Sequence, residues 1–217
     1  MKRTLLVLAC VFLGMAGGAA FGRVEADKDY KALAQAQAPE TAGRIEVLEF
    51  FQYGCGHCYD FEPAMRTWKA KKPKDVDFRY VPTVWDESRI PQAKIYYALE
   101  ALGLVDAFHD KVYEAVHEKR LKLWDRPVLD KWVAQQSGID AQKFAEAYDS
   151  FGVNNRVQRA MQMTKAYRIS GTPTVSVAGK YLTGPSFALG PNGSPDTARV
   201  HAIIDELIGM ERKKQAK

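Results

Sequence analysis

The chain reads IEVLEFFQYGCGHCY from Ile45 to Tyr59, and this stretch decides its fold. Its first seven residues are mostly apolar and β-prone, which predicts a central strand that is buried on at least one face. Two cysteines, Cys55 and Cys58, follow at once, at the start of a segment with helical signals that extends to about residue 71. The stretch therefore predicts a buried strand that leads into a Cys-x-x-Cys motif at the N-terminus of a helix.

Further strands and helices are predicted on the C-terminal side of this motif. Residues 76–82 alternate apolar and polar side chains, which indicates a second strand, parallel to the first because a helix separates the two. Residues 88–168 carry four apolar faces at helical spacing and predict a long helical block. Residues 174–178 and 180–183 flank Gly179 and predict a tight hairpin.

The two ends of the folded part complete the order of elements. Residues 23–43 are mixed in character and rich in Ala and Gln, and we expect a lead-in arm. Ser194 and Pro195 predict the N-cap and the first position of a final helix. The predicted order is β-α-β, a helical insertion, then β-β-α, which is an α/β fold class.

Composition indicates a globular protein without a nucleic-acid partner. The 217 residues are 47% hydrophobic and 26% charged, which excludes a disordered or fibrous chain. The net charge of +5 comes from the two ends, since residues 23–210 hold equal numbers of acidic and basic side chains. A neutral body gives no support for nucleic-acid binding.

The first 22 residues are typical of a secretory signal peptide. Lys2 and Arg3 precede an uncharged segment over residues 4–21, and residues 20–22 have the small-x-small pattern of a cleavage site. An uncleaved membrane anchor and lipidation at Cys10 are the alternatives. We expect an exported, soluble protein in an oxidising compartment.

Only Cys55 and Cys58 of the three cysteines remain after Cys10 leaves with the signal peptide. A disulfide that closes a four-residue loop adds little stability to a fold. A haem attachment site needs histidine directly after the second cysteine, where this chain has Tyr59. The remaining histidines are dispersed and lack ligand spacing, so we expect structural or surface roles for them: His109, His117 and His201. A redox pair without metal or cofactor is favoured over metal ligands or an inert disulfide.

The motif contains the groups that disulfide exchange needs. Cys55 at the helix N-terminus is stabilised as a thiolate by free N–H groups and the helix dipole. Cys58 lies one turn later and is expected to be the buried resolving thiol. His57 between them can stabilise the thiolate as a donor or a cation.

Nearby carboxylates and aromatic rings are further candidates. Glu49 in the apolar strand could relay the proton of Cys58, or it could lie on an exposed face, since Glu46 suggests that the strand has a polar side. Glu62 is expected to be solvated, with thiolate tuning as the alternative. Three rings could form an apolar platform for unfolded chains or could simply pack: Phe51, Tyr53 and Tyr59.

The order of these motifs resembles the DsbA family of periplasmic thiol–disulfide oxidases, which have a thioredoxin-like fold. Phe50-Phe51, the Cys55–Tyr59 motif and Gly171-Thr172-Pro173 stand where that family has its active-site strand, redox motif and cis-proline loop. The resemblance implies that Pro173 lies in cis beside the cysteines. We also expect the Thr172 backbone, next to Pro173, to pair with extended substrate, and Tyr53, which flanks the motif, to belong to the substrate-binding surface.

The resemblance implies a monomeric enzyme that donates its Cys55–Cys58 disulfide to reduced, newly exported polypeptides. A quinone-linked membrane protein of the DsbB type would reoxidise it. The Gly-His dipeptide, as in protein disulfide isomerase, keeps an isomerase or reductase open, and a non-catalytic metal-binding or chaperone module is a third alternative. The predicted divisions are the signal peptide 1–22, two parts of a thioredoxin-like domain at 23–86 and 161–217, and the inserted helical domain 87–160.

Overall fold

A computed structural model describes residues 23–215 of the chain. The predicted signal peptide, with Cys10, lies outside the described residues. Over residues 23–215, no helix is both long enough and apolar enough to cross a membrane.

One five-stranded sheet forms the centre of the molecule, in the order β1-β5-β4-β2-β3. The strands are β1 (Lys31–Ala32), β2 (Ile45–Phe51), β3 (Val76–Pro82), β4 (Thr174–Val177) and β5 (Tyr181–Thr183). Every residue of β2 is buried, β3 runs parallel to it, and β4 runs antiparallel to it. The predicted central strand, its parallel neighbour and the hairpin are therefore confirmed.

Strand β1 lies in the segment that we expected to be only a lead-in arm. It has two exposed residues, which pair with Tyr181 and Leu182 at the sheet edge, and a strand this short has no readable alternation. The arm also contacts the hairpin turn, where the Gln37 N–H donates to the Gly179 carbonyl at 2.8 Å. Gly179 has a φ of 62°, and a Cβ on it would lie 2.2 Å from the Gln37 carbonyl oxygen, so only glycine fits there.

Seven helices cover the sheet in the described part of the chain. They are α1 (Gly56–Lys71), α2 (Ile90–Ala101), α3 (Val105–His117), α4 (Arg126–Ala134), α5 (Ala141–Asp149), α6 (Phe151–Ala166) and α7 (Thr197–Gln215). Helices α1 and α7 pack with β4 and β5 around Val47, while α2–α6 share a second core with Leu48, Phe50 and Phe51 of β2. The order β-α-β, helical insertion, β-β-α is confirmed.

The division into domains stays a prediction, but two observations bear on it. The predicted boundary at 160/161 falls inside α6, which continues without a break from Phe151 to Ala166. The inserted helices also bury apolar side chains against the same strand that leads to the cysteines. The insertion and the active-site strand therefore share one core.

The start of the final helix differs from the prediction. Asp196, rather than Ser194, caps α7: its carboxylate accepts the Arg199 N–H at 3.0 Å and its carbonyl accepts the Val200 N–H at 3.0 Å. Ser194 lies in the preceding loop, where its carbonyl accepts the Gly190 N–H at 2.8 Å. Ser and Asp are equally good caps, so the choice depends on loop contacts that local sequence does not reveal.

Candidate active site

Cys55 and Cys58 lie where β2 leads into α1. Cys55 is the N-cap of α1, in extended conformation, and its sulfur accepts the Cys58 N–H at 3.4 Å. Both cysteines are free thiols, so the structure represents the reduced protein. Cys55 is partly exposed and Cys58 is fully buried, as the motif predicted.

The environment of Cys55 favours its anion. A hydrogen bond from the Cys58 thiol, aided by the Thr172 side chain and by the backbone N–H groups of Cys58 and His57, lowers the pKa of Cys55 to about 5, against the opposing effect of partial burial. At neutral pH the reduced protein therefore carries a Cys55 thiolate. Burial and the neighbouring Cys55 raise the pKa of Cys58, so this residue remains a thiol.

His57 is exposed at the first turn of α1. Its backbone N–H points to Cys55, and within residues 23–215 we find no hydrogen bond from its imidazole to either sulfur. His57 lines a groove of about 840 Å³ at the start of α1. A role of the imidazole in stabilising the thiolate stays a prediction.

The Thr172–Pro173 peptide bond is cis, as the resemblance implied. This loop contacts the reactive cysteine directly, since the Cys55 sulfur lies 3.4 Å from the Thr172 carbonyl oxygen. Both residues line the same groove as His57, together with the apolar side chains of Phe187 and Leu189. The loop therefore joins the exposed sulfur to a surface that can hold a polypeptide.

Glu49 is fully buried in β2, and within residues 23–215 neither carboxylate oxygen has a hydrogen-bond partner. Burial, then the charges of Glu62 and Cys55, raise the pKa of Glu49 well above its usual value. The alternative of an exposed position is wrong. Glu46 does not mark a solvent face either, because it is buried and paired with Arg79.

Two other sequence predictions near the motif are wrong. Glu62 is buried rather than solvated, and its carboxylate accepts the Tyr80 hydroxyl at 2.9 Å. Tyr53 is 1% exposed, and its hydroxyl lies 2.8 Å from His109 Nδ1, so its ring is not on the substrate-binding surface. Phe51 is also buried, so for Phe51 and Tyr53 the alternative of packing in the core is confirmed, rather than an apolar platform.

Helix α3 supplies the polar partners of Tyr53. His109 is buried and contacts the Tyr53 hydroxyl, and His117 Nε2 lies 2.8 Å from the Tyr53 carbonyl oxygen. Tyr59 stacks on His117 at 4.9 Å between ring centroids. The sequence does contain a signal that His109 is buried, because His109 shares a helix face with Val112 and Val116 at i+3 and i+7.

The other candidates add no further centre. His201 lies 3.0 Å from the Ala64 carbonyl oxygen, far along α1, and burial lowers its pKa. In the part of the chain that the structure describes, no three His, Cys, Asp or Glu side chains are grouped to hold a metal ion.

Comparison with known proteins places this geometry in a family. A model described as a DSBA-like thioredoxin domain matches residues 86–191, which span the helical block and the cis-proline loop. The thiol:disulfide interchange protein DsbA of Burkholderia cepacia is 37% identical over 99% of this chain and 100% of its own length. The DsbA protein of Bordetella pertussis is 40% identical over 80% of each chain.

Solved structures agree with the sequence relatives. The crystal structure of Pseudomonas aeruginosa DsbA matches with a TM-score of 0.82 and 32% identity, over 89% of this chain and 97% of that chain. NmDsbA1 from N. meningitidis matches with a TM-score of 0.78 and 30% identity, over 89% of this chain and 96% of that chain. With its thioredoxin-like fold and its Cys55–Cys58 pair, this chain belongs to the DsbA family of thiol–disulfide oxidoreductases.

Proposed function

We propose that this protein oxidises the thiols of reduced, newly exported polypeptides by donating its Cys55–Cys58 disulfide. The observation that carries the proposal is the contrast between a partly exposed Cys55, whose pKa is lowered, and a buried Cys58, whose pKa is raised. Stabilising the thiolate stabilises the reduced protein, which makes the oxidised protein a stronger oxidant.

Two exchanges at sulfur complete the reaction. A substrate thiolate attacks Cys55 Sγ, the Cys55–Cys58 bond breaks, and Cys58 leaves as a thiolate that takes up a proton. A second substrate thiolate then attacks the substrate sulfur of the mixed disulfide, and Cys55 leaves as its stabilised thiolate. The substrate gains a disulfide and loses two electrons, and those electrons reduce the protein.

The groove beside Cys55 suits a polypeptide of varied sequence. In our proposal, an extended substrate segment pairs with the backbone of Thr172, and its side chains lie along the apolar groove that also includes His57 and Phe187. Main-chain pairing selects for an unfolded segment rather than for a particular sequence. Tyr53 has no part in this binding because it is buried.

Oxidation of a reduced, unfolded protein tests the proposed direction. The oxidised protein, mixed with reduced ribonuclease A in denaturant-free buffer, should remove two substrate thiols for each molecule reduced, as measured by thiol titration of the ribonuclease after the two proteins are separated. An isomerase, which the Gly-His dipeptide suggests as the second candidate, would instead reactivate scrambled ribonuclease when supplied in its reduced form. If the oxidised protein removes no thiols from the reduced ribonuclease while the reduced protein reactivates the scrambled form, the oxidase proposal is contradicted.

Glu49 is the proposed proton donor and acceptor for Cys58. Its buried carboxyl has a pKa raised well above its usual value, so it keeps a proton to a higher pH than an ordinary carboxyl, and Cys55 influences it electrostatically. We expect Glu49→Gln to slow disulfide transfer to reduced peptide by about tenfold or more, measured by stopped-flow fluorescence. The rate of Cys55 alkylation by iodoacetamide should change little, because alkylation needs no proton transfer at Cys58. Equal transfer rates in both proteins would refute the relay.

The remaining parts of the proposal concern location and reoxidation. We place the protein in the periplasm as a monomer, with a DsbB-type, quinone-linked membrane protein as its reoxidant. Support comes from the predicted signal peptide and from membership in the DsbA family. The reduced protein should regain its disulfide when quinone-supplemented bacterial membranes are added.

A further inference from the structure

The turn that carries the reactive cysteine is held by two side chains from the inserted helices. In this turn the Cys55 N–H donates to the Gln52 carbonyl at 3.1 Å, and the two central residues are Tyr53 and Gly54. We call the peptide unit that joins Tyr53 to Gly54 the turn peptide. Both of its polar groups have side-chain partners, and the mechanism above uses neither partner.

The two partners are Gln92 of α2 and His117 of α3. The Gly54 N–H donates to Gln92 Oε1 at 2.8 Å, and Gln92 is buried. His117 Nε2 lies 2.8 Å from the Tyr53 carbonyl oxygen, and since a carbonyl oxygen only accepts, the imidazole donates from Nε2. One peptide unit is thus held at both ends, by side chains from two different helices.

This sequence permits two orientations of the turn peptide. A β-turn changes from type I to type II when its central peptide rotates by about 180°, and type II requires a positive φ at the third residue. Glycine adopts a positive φ without steric cost, so Gly54 would allow the rotated form, yet its φ in the structure is not positive. Rotation would break the hydrogen bonds to Gln92 and His117, so these two side chains select the observed orientation.

The turn peptide lies directly beside the reactive cysteine. Gly54 is bonded to Cys55, which is the N-cap of α1 and whose sulfur accepts the Cys58 N–H from an extended backbone conformation. His117 also contacts the other side of the motif, because its ring stacks on Tyr59 with 4.9 Å between centroids and 13° between planes. The same imidazole therefore contacts residues on both sides of the two cysteines.

We propose that Gln92 and His117 are positioning residues for disulfide exchange, which hold the turn peptide in one orientation and thereby keep the Cys55 sulfur in the capping geometry that stabilises its anion. A turn that rotates or opens keeps the sulfur in this geometry for only part of the time, and the thiolate then loses part of its hydrogen bonding. The proposal applies to exchange in either direction, so it does not depend on the protein acting as an oxidase.

The first test compares His117→Phe with His117→Gln in the reduced protein. Phenylalanine keeps a ring to stack on Tyr59 but has no donor for the Tyr53 carbonyl, whereas glutamine places an N–H near the position of Nε2. We expect His117→Phe to raise the midpoint of the Cys55 thiolate titration, measured by ultraviolet absorbance, by about half a pH unit or more, and His117→Gln to stay closer to the unaltered protein. Both substitutions remove the imidazole, so equal shifts would show that the donor to the turn peptide is not the cause and would overturn the assignment of His117.

Gln92→Met provides a second, independent variant. Methionine matches glutamine in length but is only a weak acceptor, so the Gly54 N–H loses its partner. Amide hydrogen exchange followed by ¹H–¹⁵N NMR should show the Gly54 N–H exchanging about tenfold faster or more than in the unaltered protein. The equilibrium with glutathione at neutral pH should shift about threefold toward the oxidised protein, as a rise of half a pH unit in the Cys55 midpoint implies.

A purely structural role of the two side chains would lower the melting temperature without moving the Cys55 midpoint. An unchanged midpoint in both His117→Phe and Gln92→Met would therefore overturn the proposal, whatever the change in stability. Faster exchange of the Gly54 N–H with an unchanged midpoint would also overturn it, because the turn peptide would then move without effect on the sulfur. If one of the two variants does not fold, the other decides the question alone.

Discussion

Replacing Cys58 with serine leaves a protein that forms a mixed disulfide with oxidised glutathione at neutral pH, whereas replacing Cys55 with serine nearly abolishes this reaction. The reason is that Cys55 is a partly exposed thiolate and Cys58 is a fully buried thiol with a raised pKa. Exchange requires the thiolate, so we expect rates that differ by about 100-fold or more. Intact-protein mass spectrometry at timed intervals measures both rates.

Serine is a matched replacement at both positions because it keeps an O–H donor of similar size. In the Cys58→Ser protein, that hydroxyl can still donate to the Cys55 sulfur, as the Cys58 thiol does. In denaturant, both variants should react at the same rate, since the fold alone distinguishes the two cysteines. Comparable rates in the native state would contradict the assignment of Cys55 as the attacking group.

The reduced protein should show a thiolate titration with a midpoint of about 5, well below that of an ordinary cysteine. Hydrogen bonds from the Cys58 thiol, the Thr172 side chain and the first backbone N–H groups of α1 stabilise the anion. Ultraviolet absorbance near the thiolate band measures this transition. The oxidised protein and Cys55→Ser should lack it, and a midpoint near 8.5 would remove the basis for the oxidase proposal.

The same titration predicts how stability depends on pH. Between the folded pKa of about 5 and the unfolded value near 8.5, the unfolded chain binds a proton at Cys55 that the folded, reduced chain does not. The free energy of unfolding of the reduced protein therefore rises with pH in this window, relative to the oxidised protein, by at most ~1.4 kcal/mol per pH unit. The gain is lost as the pH falls through 5. Urea unfolding of both forms at several pH values measures the difference.

Local patterns were sufficient to predict the central strand, the helix that begins at the motif, the hairpin and the place of the reactive cysteine. Each of these depends on neighbours in sequence: five apolar, β-prone residues among the seven of β2, and the N-terminal geometry of α1 for Cys55. The cis bond before Pro173 came from the family resemblance rather than from a local pattern.

The surroundings of the motif could not be predicted in this way. Tyr53 and Glu62 look like surface residues until α3 covers them, and His109 is 56 positions away from the tyrosine that it contacts. Glu46 suggested a solvent face because the sequence does not show that Arg79 lies beside it. Polar side chains in a core are identified by partners that only the tertiary structure brings near.

Two histidines of helix α3 contact Tyr53: His109 lies within hydrogen-bond distance of its hydroxyl, and His117 of its carbonyl oxygen. The peptide just ahead of the reactive sulfur is thus anchored by a segment more than fifty residues away. An engineer who transplants Cys55 through Cys58 into another thioredoxin-like scaffold would carry over the sulfurs without this anchorage. Faithful transfer of the redox behaviour calls for α3 to be grafted with the motif, as a single module.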